Sequence, residues 1–118
     1  MPSPYFDREV LGAPTTGVTV IMSEKRNDCR LLMITNVAVI DRTSAVGTSV
    51  EVGIESDGDL FAFDNTLTAL PAGTIFQSSG MYVLKRDSRI YAKLTNATAG
   101  DIIELLTNGI YINAGEID

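Results

Sequence analysis

The stretch Val50-Glu-Val-Gly-Ile-Glu-Ser-Asp-Gly-Asp-Leu-Phe-Ala-Phe63 decides the fold class. Val50, Val52 and Ile54 fall on one side of an extended chain, and Glu51, Gly53 and Glu55 on the other. That is the period-two pattern of a strand with one wet face. Asp57-Gly58 then reverses the chain, because glycine accepts the positive φ of a tight hairpin turn, and Leu60–Phe63 returns. The same grammar recurs outward in both directions. Asn27-Asp28, Ser79-Gly80, Arg86-Asp87 and Asn108-Gly109 punctuate short segments rich in valine and isoleucine. Strands at such spacing predict an all-β sandwich or barrel.

The predicted strands are 17–23, 30–41, 50–55, 60–63, 74–77, 81–85, 89–95, 101–107 and 110–112. Residues 30–41 are apolar at both parities, which predicts burial on both faces. The segment from Asp101 could instead begin a helix capped by Asp101. The β-branched Ile102 and Ile103 and the short run favour a strand. No other segment supports a long amphipathic helix. About eight strands on short links exceed what one open sheet of 118 residues can bury, so two facing sheets are expected. An antiparallel jelly roll is the eight-stranded solution. An immunoglobulin-like sandwich finds no tryptophan and no cysteine pair here.

Residues 1–16 read as an extended N-terminal arm, followed by a single domain over 17–118. Pro2, Pro4 and Pro14 disfavour a central strand. Tyr5, Phe6, Val10 and Leu11 are too apolar for a solvated tail, so the arm either folds back on its own domain or docks on a neighbouring subunit. These four residues are the candidate partner-binding anchors.

Composition narrows the chemistry. The chain has no histidine, which removes the commonest general base and metal ligand. A lone cysteine, Cys29, can form no internal disulfide and has no histidine to activate it. Glu51, Glu55, Asp57 and Asp59 gather near one hairpin but lack the spacing of a calcium loop. Asp41, Asp64 and Asp101 sit at strand ends, where aspartate forms turns more readily than a glycosidase pair. No G-x-S-x-G elbow and no glycine-rich phosphate loop occurs. Neither an enzyme nor a cofactor is expected. Fifteen acidic against nine scattered basic residues give a net charge of −6, which disfavours nucleic acid and anionic membranes as partners. The N-terminus has no basic and apolar leader pattern.

Ile34-Thr-Asn-Val-Ala-Val-Ile-Asp41, Val50–Glu55, Leu70-Pro-Ala-Gly73, Ile90-Tyr-Ala-Lys-Leu94 and Ala97-Thr-Ala-Gly-Asp-Ile-Ile-Glu-Leu105 together resemble small β-sandwich virion proteins of tailed bacteriophages. The nearest class is the jelly-roll capsid decoration, or cement, proteins. The resemblance spans residues 17–113 and is one of pattern and order. It implies a homotrimer made in the host cytoplasm that binds the capsid exterior and clamps the major capsid protein, without catalytic residues. Deleting residues 2–16 would then abolish capsid binding and leave the domain folded. The alternative is a receptor- or carbohydrate-binding module of a phage tail or fibre, for which Tyr82, Tyr91 and Tyr111 would supply an outward aromatic platform.

Overall fold

The computed structural model describes residues 3–13, 17–25, 31–41, 49–66 and 75–112. Eight strands account for nearly all of them: β1 (Ser3–Gly12), β2 (Gly17–Met22), β3 (Leu31–Asp41), β4 (Ser49–Ser56), β5 (Asp59–Asn65), β6 (Ile75–Leu84), β7 (Ser88–Ala97) and β8 (Ile102–Ile112). They form two antiparallel sheets, ordered β1-β8-β3-β6 and β2-β7-β4-β5. Each sheet draws strands from both halves of the chain, and only β4-β5 is a neighbouring hairpin. This is the jelly-roll arrangement, with two four-stranded sheets shut around one core. Cys29, the Asn27-Asp28 turn, the 43–48 loop and Leu70–Gly73 lie outside the described residues.

Period-two alternation builds the core. Leu32, Ile34, Val37 and Val39 of β3 and Ile103 and Leu105 of β8 face Val50 and Val52 of β4 and Ile90, Ala92 and Leu94 of β7. At one edge Phe63 of β5 stacks on Tyr82 of β6 with ring centroids 3.9 Å apart, tying the two sheets together. Asp57 and Gly58 both have positive φ, 52° and 86°, as the two-residue hairpin between β4 and β5 requires.

Three expectations are corrected. Residues 3–12 are extended, as an arm would be, but they are β1, paired with β8 from Ser3↔Tyr111 to Gly12↔Ile102. Tyr5 and Leu11 pack against the core, so the boundary at residue 16 does not part an arm from a domain. The chain folds back because Tyr5 and Leu11 leave water there while the backbone completes a ladder. Ser79-Gly80 and Asn108-Gly109 are not turns. Each lies inside a continuous strand, β6 and β8, flanking the point where the register of β3 shifts between Ile34 and Asn36. The strand expected from Asp101 onward is β8, Ile102–Ile112, unbroken at 108–109, with Asp101 just before it. There Asp101 accepts the Thr98 N–H through its carboxylate (2.9 Å), and its own N–H donates to the Thr98 carbonyl (2.9 Å).

Candidate interaction surface

The two outer faces of the sandwich differ in chemistry. The outer face of β2-β7-β4-β5 is charged along β7 and β4, with Val18 and Val20 of β2 and Leu60 of β5 exposed at its flanks. Arg89 and Lys93 of β7 stand opposite Glu55 and Glu51 of β4. Arg89 Nε donates to Glu55 Oε2 (3.2 Å), and Glu55 Oε1 accepts the Gly58 N–H (3.2 Å). Tyr91, though on this outward side, is fully buried, and its hydroxyl donates to Glu51 Oε2 (2.5 Å). Burial and the Glu51 carboxylate raise the Tyr91 pKa well above its ordinary value. The group holds its proton more tightly folded than unfolded, so its stabilising share is complete below about pH 10 and fades as pH rises further. Tyr91→Phe is therefore expected to cost about 1.5–3 kcal/mol at neutral pH, the range for a hydrogen bond to a charged group. Chemical denaturation checks the cost. Ultraviolet titration should show the Tyr91 phenol ionising only with unfolding, an event absent from Tyr91→Phe.

The outer face of β1-β8-β3-β6 is apolar. Among the described residues, eight of the twelve exposed large hydrophobics belong to its strands: Phe6 and Val10 on β1, Ile102 and Ile110 on β8, Leu31 on β3, and Ile75, Met81 and Val83 on β6. The register sets them in rows across the sheet. Pro4, Ile110, Met33 and Val83 make one row, and Val10, Glu104, Ile40 and Ile75 another. Between them run Phe6, Asn108, Asn36 and Ser79, then Arg8, Leu106, Ala38 and Gln77. Ser79 Oγ donates to Asn36 Oδ1 (3.3 Å). Arg8 and Glu104 are the only charges in these rows. Arg8 Nε donates to Glu104 Oε1 (2.7 Å), with the Glu104 side chain only 4% exposed beneath the half-exposed arginine. Eight exposed apolar side chains gathered on one sheet face of a folded domain make it the candidate interaction surface.

The four candidate anchors are divided by the pleat. Phe6 (61% exposed) and Val10 lie on the apolar outer face, whereas Tyr5 and Leu11 point inward. Sequence reasoning missed the rest of the face, on β3, β6 and β8. Its signal was the apolar character at both parities of 31–40 and 102–106, with no helix to cover the second side.

The tyrosine platform is not formed. Tyr82 is stacked on Phe63, Tyr111 packs edge-to-face on Tyr5 (centroids 5.5 Å apart), and Tyr91 is buried. A polar recess of about 320 Å³ on the charged sheet is lined by Ser49, Glu51, Asn65, Thr66, Lys93 and Thr95 along with Val50, with no aromatic wall. Among the described residues, no three His, Cys, Asp or Glu side chains are grouped to hold a metal ion.

No protein-family profile matches the sequence, and no curated protein matches it. The fold is similar to that of a chain in the structure of the infectious bursal disease virus Gx strain, with a TM-score of 0.52 and 18% identity. That match covers 98% of this chain and 34% of the virus chain, so this chain spans about a third of its length. Other similar chains are dimeric latent PorU from Porphyromonas gingivalis (TM-score 0.39, 8% identity, 92% of this chain and 13% of that one) and Eiger TNF from S. frugiperda (TM-score 0.34, 10% identity, 86% and 91%). At 18% identity the likeness to the virus chain is one of fold.

Proposed function

We propose that this chain is a structural virion protein, a decoration protein that binds the major capsid protein on the outside of a phage capsid and stabilises the shell by adding interfaces. The observation that carries the reading is the outer face of β1-β8-β3-β6, where, among the described residues, eight exposed large hydrophobics share one sheet surface with the Arg8–Glu104 ion pair. A jelly roll related in fold to a virus chain supports the virion setting. Work of this kind needs apolar anchors and several copies acting together, and no reacting group. Phe6 and Val10 remain anchors on this reading; Tyr5 and Leu11 hold the strand that carries them.

Co-sedimentation with undecorated capsids tests the proposal. Wild-type protein is expected to pellet with capsids. Val10→Asp should weaken capture at least tenfold by replacing an exposed apolar side chain with a carboxylate directly opposite Glu104. Leu60→Asp, on the other sheet, should leave capture unchanged. No capture of the wild type, or equal loss in both variants, would overturn the assignment.

A further inference from the structure

We infer that the apolar face of β1-β8-β3-β6 is closed, in the free protein, by the same face of a second copy of this chain. The inference rests on the reading of that face as a protein-binding surface, and not on the capsid itself.

Three properties favour a second copy over a partner of different chemistry. The first is charge. The chain carries −6 overall, yet among the described residues this face holds one arginine and one glutamate that neutralise each other. Two copies meet here without like charges opposed, whereas a basic partner would find no net negative charge to match. The second is the polar stripe through the middle of the face. Asn36, Asn108, Gln77 and Ser79 each carry groups that donate and accept, so a stripe of this composition can pair with its own copy. The Pro4-Ile110-Met33-Val83 row on one side of it, and Val10, Ile40 and Ile75 on the other, would register on the copy's rows in the same way. The third is size. Four strands about 4.8 Å apart, and a longest strand of 11 residues rising about 3.4 Å each, give a plan area of roughly 700 Å². That footprint, with Ala38, Ile40 and Glu104 already buried within one chain, is of the same order as the ~800 Å² per partner of a stable interface.

Two such faces stack as packed sheets do, about 10 Å apart with strands nearly aligned. The contact is isologous, so it closes at two copies and leaves both charged sheets outward.

Sedimentation equilibrium on the free protein, without capsids, decides the matter. The wild type is expected at twice 12.7 kDa. Val83→Asp should raise the dissociation constant at least a hundredfold and give a monomer. Met81→Asp, at the most exposed position of the face (77%), should do the same without threatening the fold. Lys93→Glu on the opposite sheet should remain a dimer. Circular dichroism confirms folding in each case. A wild-type mass of one copy or three overturns the inference, as does a dimer that survives Met81→Asp. Dimers that ignore capsids sink the decoration reading alone; monomers that pellet with capsids sink this inference alone.

Discussion

A chain lacking residues 2–16 is expected not to fold. β1 supplies ten register positions against β8, and its removal strips one side of β8 along its whole length. Tyr5 and Leu11 leave the core with it, and the fully buried Ile103 and Leu105 lose their lateral neighbours. Losing two sizeable apolar side chains and about half a dozen ladder hydrogen bonds amounts to about 5 kcal/mol or more. That is comparable with the entire stability of a domain this size. Urea titration followed by far-ultraviolet circular dichroism measures it. The truncated chain should show no cooperative transition; an unchanged midpoint would mean that β1 is dispensable and that the arm reading was right.

Gly109→Val is the second large effect. A Cβ built on Gly109 meets backbone rather than a movable side chain: it would overlap the Met33 carbonyl oxygen and lie 3.1 Å from the Met33 carbonyl carbon and 3.2 Å from Ile34 Cα. Neither strand can yield without disturbing the register shift of β3 on both its flanks. The cost is expected at about 3 kcal/mol, the upper end for overpacking a tight site. Asn108→Ala, one residue away on the outward side, should cost under about 1 kcal/mol. Equal, small effects in the two variants would show that the close approach is not real.

Much of this architecture was legible from residues. The alternation of Val50–Glu55, the Asp57-Gly58 hairpin and the double-sided apolar run of β3 are local signals, and each has its expected place. Ala38 and Ile40 are indeed buried on the outward side, in register between β8 and β6. β1 was hidden because its inward row reads Tyr5, Asp7, Glu9, Leu11, with two acids where a core strand usually has apolar residues. Those acids sit at the sandwich edge near Glu24, whose N–H donates to Asp7 (3.3 Å). Partial burial, with Asp7 and Glu24 beside it, raises the Glu9 pKa. Ser79-Gly80 and Asn108-Gly109 misled because glycine serves close backbone approach as well as turns, and a single sequence does not distinguish the two uses. The apolar face escaped for a deeper reason. Its rows are assembled from residues about 100 positions apart, such as Phe6 and Asn108, and strand pairing is nonlocal.

The central claim is that one outer sheet face binds protein and the other faces solvent. Methionine oxidation reads both faces in a single experiment. Met33 and Met81 lie on the apolar face, and Met22 lies on the outward side of the charged sheet, beside Tyr91 in register. Peroxide footprinting of the assembled protein, followed by peptide mass measurement, should show Met81 and Met33 protected relative to a Val83→Asp monomer while Met22 oxidises at the same rate in both. Protection confined to Met22, with Met81 reacting equally in both samples, would contradict the account.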